Sequence, residues 1–189
     1  YFSPDYKISL LEEESFKVKD DLFRRWNNKE NVEFVFVSKF LKDRSEALLN
    51  IKFNKFHIIP NQINEDIFQY KKKDIEQRKK ICMIRSFHNL DSYSIDTNVK
   101  VILELSKKDY FKELEFCIYG KGEMHDILLK PIEKFNNVKI INEFLSFEDM
   151  NKMYQENGIS LFASRYDTQG VSSLESAMVG TIPLVSKNT

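Results

Sequence analysis

Short apolar runs alternate along this chain with segments of helical period, and this alternation constrains the fold more than any other feature. The runs have the length and composition of buried strands, and the segments between them place apolar side chains three and four residues apart. Such alternation predicts a mostly parallel, Rossmann-like α/β sheet with helices on both faces. We expect strands near residues 32–38, 81–85, 115–119, 138–142, 159–163 and 182–186, with a further short strand before Pro60.

The first 31 residues differ from the rest of the chain. They are highly charged and predicted to be helical, and we expect them to be a remnant of a preceding domain or an interdomain element. Residues 32–189 are expected to form the α/β domain. Because residue 1 is Tyr and the chain stops directly after a predicted strand, we expect a fragment of a longer protein.

The charge balance excludes one class of partner. The 29 basic and 29 acidic residues give a net charge of +0, so the chain lacks the basic footprint of a nucleic-acid-binding protein. The clusters Lys71-Lys72-Lys73 and Lys79-Lys80 alternate with acids and are interpreted as solvated surface, with a membrane-surface role as the alternative. Cys82 and Cys117 lie in apolar runs and are interpreted as buried thiols.

One stretch combines a turn glycine with two acids. The apolar run Ile159–Ala163 predicts a strand, and Gly170 then precedes a segment of helical spacing. The free N–H groups at a helix start favour an anion such as a diphosphate. Asp167 and Glu175 flank that start, and carboxylates accept hydrogen bonds from sugar hydroxyls. The alternative is an ordinary strand-turn-helix with solvated acids.

Other polar residues follow neighbouring predicted strands. Because ligands of parallel sheets bind beyond the carboxyl ends of the strands, these residues are candidates for the same site. They are Arg85, Gly120-Lys121-Gly122 and Glu143-Phe144. No His, Cys or Asp spacing resembles a metal site, and neither a metal nor another cofactor is expected.

These pieces occur in the order found in glycosyltransferase family 4, which has the GT-B fold. The stretch Val35–Thr189 resembles the nucleotide-sugar-binding C-terminal half of such an enzyme. The resemblance rests on Val35-Phe36-Val37-Ser38, on Ile58-Ile59-Pro60-Asn61 with Phe68, on Ile84-Arg85, on Ile118-Tyr119-Gly120-Lys121-Gly122, and on the acidic-x7-acidic signature from Asp167 to Glu175 followed by Ala177 and Gly180.

The resemblance implies roles for individual residues. Glu175 would hydrogen-bond the ribose of the nucleotide, and Asp167 would contact hydroxyls of the donor sugar. The backbone amides of Gly170 and Val171 would hold the diphosphate, while Arg85 would neutralise the charge that develops on it.

Further contacts with the donor are expected around these residues. The backbone near Phe144 would meet the base, and His88, beyond Arg85, would reach a phosphate or a sugar. Ser172, Gly120 and Lys121 complete the set of candidate donor-binding residues.

The implied activity is that of a retaining glycosyltransferase. It would transfer a sugar from a nucleotide-diphosphate sugar to a glycan or lipid-linked acceptor, in bacterial surface polysaccharide synthesis. The implied location is cytoplasmic, with peripheral attachment to the inner face of the membrane left open. Because the N-terminal half mainly holds the acceptor in such enzymes, this fragment is expected to bind donor without turnover.

Two alternatives are a non-catalytic glycosyltransferase-like scaffold and another nucleotide-sugar-binding α/β module. A nucleotide-sugar epimerase fragment would need Gly-x-Gly-x-x-Gly after its first strand, and Val37-Ser38-Lys39-Phe40 contains no glycine.

The sequence also departs from the family pattern. Asp167 is shorter than the usual Glu, and Thr168-Gln169 replaces the usual Gly-Phe, which affects the donor-sugar side of the site. Thr97-Asn98 stands where the family has a lysine, and Lys100 is a poor geometric substitute, which keeps the scaffold alternative open.

Overall fold

The computed structural model describes residues 21–88, 93–165 and 167–187. The chain divides into two compact units between Gln62 and Ile63. We expected a domain boundary at residue 31. The first unit instead extends to Gln62 and includes two strands, Phe34–Phe36 and Phe56–Ile58, that we had assigned to the α/β domain. The assignment of residues 32–189 to one donor-binding domain stays a prediction.

The first unit is a small α/β layer. Residues 21–27 are helical, and strands β1 (Phe34–Phe36) and β2 (Phe56–Ile58) pair in parallel on either side of helix α1 (Lys39–Leu49) in the chain. Phenylalanine rings fill its core, with Phe36 and Phe53 centroids 4.8 Å apart. The prediction that the strand near 32–38 joins the main sheet was therefore wrong, since within the described residues this strand pairs with β2 in a separate two-stranded sheet.

The second unit contains a five-stranded parallel sheet in the order β5-β4-β3-β6-β7, which confirms the predicted parallel α/β fold. Its strands are β3 (Lys80–Ile84), β4 (Glu115–Tyr119), β5 (Val138–Ile141), β6 (Ile159–Phe162) and β7 (Ile182–Val185). The central strand β3 pairs Cys82 with Cys117 of β4 on one side and with Ser160 of β6 on the other.

Four helices connect these strands: α2 (Ile95–Leu105), α3 (His125–Leu129), α4 (Phe147–Glu156) and α5 (Val171–Met178). Ser146 caps α4, because its Oγ accepts the Asp149 N–H at 3.1 Å. The C-cap residue of α4 is Asn157, which has an extended backbone, and Gly158 follows it directly. Gly158 is required by packing, since a Cβ there would lie 2.4 Å from the Gln77 carbonyl oxygen.

Side-chain alternation along the strands divides the core between the two faces of the sheet. Ile81 and Met83 pack with α2 on one face, and Cys82 packs with Tyr154 and Phe162 on the other. Helices therefore cover both faces, as predicted. In the part of the chain that the structure describes, no helix is long and apolar enough to cross a membrane.

Candidate functional site

Arg85 follows the last residue of β3 and lies at the carboxyl end of the sheet. Its side chain is only 8% exposed, and its guanidinium carbon lies 4.8 Å from the Tyr93 ring centroid and 4.7 Å from that of Phe162. Among the described residues, its buried Nε has no hydrogen-bond partner. Burial lowers the pKa of Arg85, while Tyr93 and Asp167 oppose that shift.

A buried cation with an unmet donor is costly, and the attraction of the two rings offsets only part of that cost. The position is therefore suited to a negatively charged group of a ligand.

The loop from Arg85 to His88 packs tightly against the end of β4. The Arg85 N–H donates to the Tyr119 carbonyl at 3.0 Å, and the Phe87 N–H donates to the Lys121 carbonyl at 2.8 Å. A Cβ on Gly120 would lie 1.8 Å from the Arg85 carbonyl oxygen, and one on Gly122 would lie 2.1 Å from the Phe87 carbonyl carbon. Both glycines are thus needed to seat the Arg85 loop, a packing reason that the sequence pattern did not reveal.

The turn before α5 is organised by Asp167. Its Oδ1 accepts the N–H of Gly170 at 2.7 Å and that of Gln169 at 3.2 Å. Gly170 is the N-cap residue and has left-handed backbone angles, φ 69° and ψ 40°, which glycine adopts at little cost. The Gly170 amide that we expected to hold a diphosphate is therefore already bonded to Asp167.

The next two amides of α5 remain available. The N–H groups of Val171 and Ser172 have no acceptor within the ranges that the structure describes, whereas the Ser173 N–H donates to the Gly170 carbonyl at 3.0 Å. Unpaired N–H groups at a helix start attract anions. The helix start can therefore bind an anion through Val171 and Ser172.

Glu175 lies one helical turn beyond that start. It is 6% exposed, and burial raises the pKa of its carboxyl group. No cationic side chain of the described part of the chain pairs with it. A buried carboxylate without a cationic partner is a strong acceptor for ligand hydroxyl groups.

Tyr154 of α4 is influenced by both buried charges, and it was not among the candidate site residues from the sequence. Burial raises the pKa of its phenol, and both Glu175 and Arg85 act on it electrostatically. Its buried Oη has no hydrogen-bond partner among the described residues. Tyr154, Arg85 and Glu175 thus form one group of buried polar side chains beneath the carboxyl edge.

His88 and Phe144 come together at the exposed rim of this edge. Their ring centroids are 6.4 Å apart, and Phe144 is 61% exposed. The side chain of Lys121 is also exposed, and its backbone supports the Arg85 loop. The rim offers flat surfaces beside the buried polar group.

Arg165 and Asp96 were not singled out as a pair by the sequence. Two nitrogen-oxygen distances of 2.8 and 2.9 Å join the Arg165 guanidinium to the Asp96 carboxylate in the first turn of α2. The first turn of α2 begins at Ile95.

Thr97 and Asn98, which stand where the family has a lysine, contribute no cation to the candidate site. Asn98 is buried and donates to the Met83 sulfur at 3.3 Å, and Lys100 is exposed and pairs with Asp96 at 3.5 Å. Among the residues described, no cluster of three or more His, Cys, Asp or Glu side chains could hold a metal ion.

Comparisons with known proteins place this geometry in a structural context. No protein-family model matches the sequence, and no match is found among curated proteins. The structure of TarM is 20% identical to this chain, and the match covers 92% of this chain and 32% of TarM, with a TM-score of 0.68. A mutant of S. aureus TarM has also been solved in complex with UDP and alpha-GlcNAc-glycerol. The pneumococcal O-GlcNAc transferase GtfA, solved with UDP and GlcNAc, is 17% identical over 88% of this chain and 32% of its own, with a TM-score of 0.65.

Sucrose-phosphate synthase from Thermosynechococcus elongatus has a similar fold, with 13% identity over 96% of this chain and 47% of its own and a TM-score of 0.67. The chain spans about one third of the length of TarM and GtfA. At these identities the similarity shows the fold. The chain has the α/β architecture of GT-B glycosyltransferase domains.

Proposed function

We propose that the second unit binds the diphosphate of a nucleotide sugar, as the donor-binding part of a retaining glycosyltransferase. The observation that carries this proposal is the buried Arg85, whose Nε has no partner among the described residues. A buried guanidinium is stabilised by a phosphate, which it can bind through two parallel hydrogen bonds.

The other groups fit the rest of such a donor. Val171 and Ser172 would donate their amides to the diphosphate, and Glu175 would accept hydrogen bonds from the ribose. The backbone near Phe144 would meet the base and His88 would reach a phosphate or a sugar, with Gly120 and Lys121 shaping the loop beside them. Asp167 would use its second carboxylate oxygen for the donor sugar, because Oδ1 is engaged by the turn.

In the proposed transfer, the bond between the anomeric carbon and the diphosphate oxygen breaks, and a bond to the acceptor oxygen forms on the same face. The acceptor proton goes to the departing diphosphate. Charge grows on that diphosphate in the transition state, so Arg85 and the α5 amides would stabilise it most at that point. The proposed acceptor is a glycan or a lipid-linked acceptor, held mainly by a preceding domain.

UDP-GlcNAc is the first donor to test, because GtfA was solved with UDP and GlcNAc and a TarM mutant with UDP. Calorimetry of the 189-residue chain with UDP, GDP and ADP, each with and without a chelator, tests donor binding directly. We expect one nucleoside diphosphate to bind, and to bind equally well with the chelator. Absence of binding by all three would contradict the proposal, and loss of binding with the chelator would contradict its metal-independent form.

A second candidate function is a non-catalytic nucleotide-sugar-binding scaffold. It is favoured by the absence of a cation at Thr97-Asn98 and by the engagement of Asp167 in the turn. The two functions differ in product formation. Release of UDP from UDP-GlcNAc by the protein together with its preceding domain and a glycan acceptor supports the enzyme, and binding without release supports the scaffold.

A further inference from the structure

A cluster of lysines lies at the edge of the second unit opposite the candidate donor site. Lys71, Lys72, Lys73 and Lys80 line one cavity of about 520 Å³, together with Asp74 and Glu156. Lys80 begins β3 and Glu156 ends α4, which places the cavity at the amino ends of the strands. Arg85 follows the carboxyl end of β3, so the two sites are separate.

The cavity carries more positive than negative charge. Its two acids face four lysines, of which Lys80 also pairs with Glu115 at 3.8 Å, and Asp74 Oδ1 accepts the Gln77 N–H at 2.8 Å. In the part of the chain that the structure describes, neither Lys71 nor Lys72 forms an ion pair with an acidic side chain. Because like charges repel across a concave surface, an anion in the cavity would stabilise this arrangement.

Lys73 is the most enclosed of the three consecutive lysines. Its ammonium group donates to the Tyr154 carbonyl oxygen near the end of α4. Burial and the charges of Lys71 and Arg78 together lower the pKa of Lys73 to about 8, although Cys82 opposes this shift. A bound anion would favour the charged form of Lys73.

The residues flanking the lysines are exposed and apolar. Tyr70 is 73% exposed and Ile75 is 76% exposed. Lysines next to an exposed aromatic ring and an exposed aliphatic side chain suit the boundary between lipid headgroups and water. The cavity itself would suit a single phosphate from either a lipid or a soluble molecule.

We propose that this cavity binds a phosphate-bearing anion, which is either the headgroup of an anionic phospholipid or a soluble phosphorylated ligand. The solvated-surface interpretation of these lysines from the sequence would then be incomplete.

The test measures binding of the chain to two probes at low ionic strength. One probe is vesicles of phosphatidylglycerol and phosphatidylcholine, assayed by sedimentation, and the other is inorganic triphosphate, assayed by calorimetry. The variant replaces both exposed lysines, Lys71→Glu with Lys72→Glu. The control, Lys108→Glu with Lys112→Glu, changes the net charge equally at exposed positions outside the cavity.

We expect the wild type and the control to bind at least one probe, and the Lys71/Lys72 variant to bind it about thirtyfold more weakly. Binding to vesicles alone identifies the lipid headgroup, and binding to triphosphate identifies a soluble source. Equal weakening in both variants, or binding of neither probe by the wild type, overturns the proposal. Circular dichroism checks folding, and Lys71→Gln with Lys72→Gln replaces the Glu variant if that variant unfolds.

A pH series provides a second readout. Lys73 is faced by Lys71, Arg78 and Cys82, and the carboxylates of Asp74 and Glu156 line the same cavity. Binding of the probe should weaken from pH 7 to pH 9 as Lys73 loses its proton, and Lys73→Arg should flatten this dependence. An unchanged slope in Lys73→Arg contradicts the role given to Lys73.

Discussion

Asp167 Oδ1 accepts the backbone N–H of Gly170 at 2.7 Å, so an acid expected to face the donor sugar also holds the turn before α5. The two roles are compatible because a carboxylate has two oxygens. They imply that substitutions at Asp167 change the fold and the ligand site together.

Asp167→Ala should destabilise the protein by about 1 kcal/mol, the typical cost of losing a side-chain acceptor at a helix start. Asp167→Asn should retain most of that stability, because its amide oxygen can accept the same N–H groups. Denaturant unfolding measures both effects. The affinity of Asp167→Asn for bare UDP should equal that of the wild type, and its affinity for UDP-GlcNAc should be lower, because the carboxylate contacts the sugar. Equal losses of affinity for both ligands would contradict that contact.

Glu175→Gln should weaken nucleoside diphosphate binding by about 10- to 100-fold, since a hydrogen bond to a charged group is lost. Calorimetry with UDP measures this loss. Leu174→Gln, at an exposed position on the same helix, is the control and should leave binding unchanged.

Glu175→Gln also tests how the stability of the protein depends on pH. Because burial raises the pKa of Glu175 in the folded state, its ionised form destabilises the fold above that pKa. This penalty should disappear as the pH falls through the raised folded value towards the ordinary carboxyl value near 4.5. The stability advantage of Glu175→Gln over the wild type should therefore shrink with decreasing pH, and an advantage that grows would contradict the assignment.

Arg85→Met should abolish diphosphate binding while leaving the free energy of unfolding equal or higher. An apolar side chain fills the space between the Tyr93 and Phe162 rings without an unmet N–H group. Arg78→Met, at an exposed position before β3, is the matched control and should affect neither property. A clear loss of stability in Arg85→Met would mean that Arg85 serves the fold rather than a ligand.

Gly120→Ala and Gly170→Ala should differ in severity. At Gly120 the new methyl group would lie 1.8 Å from the Arg85 carbonyl oxygen, and the loop carrying Arg85 must shift. At Gly170 the nearest atom outside the turn's own backbone is Ser173 Oγ at 3.0 Å, so the cost is mainly the left-handed backbone, about 1 kcal/mol. Thermal unfolding of both variants gives the comparison, and equal destabilisation would contradict it.

The sequence predicted the parallel sheet because strand and helix periods are local properties of the chain. It misplaced β1 because periodicity contains no information about which strand is the partner. Arg85 and Glu175 were placed at the carboxyl edge by the same local reasoning, but their burial depends on Tyr93, Phe162 and α4, which are distant in sequence.

Other parts of the candidate site were not predictable for the same reason. The pair between Arg165 and Asp96 joins residues 69 positions apart, and no spacing rule connects them. The glycines at 120 and 122 were candidates for a ligand site because they follow a predicted strand, whereas the structure explains them by the close approach of the Arg85 loop. Local patterns indicated the carboxyl edge as the candidate site, and tertiary contacts decide which of its polar groups are free to bind a ligand.

The strand register places Cys82 of β3 beside Cys117 of β4, and the reactivity of these two thiols can report local opening of the structure. Cys82 is fully buried in the central strand, and burial raises the pKa of its thiol to about 12, whereas Cys117 lies partly open to solvent. A thiol reagent can therefore reach Cys82 only when the side chains packed over it, among them Tyr154 and Phe162, move away from that face of the sheet. The rate of Cys82 modification, compared with that of Cys117, measures how often this face of the sheet opens.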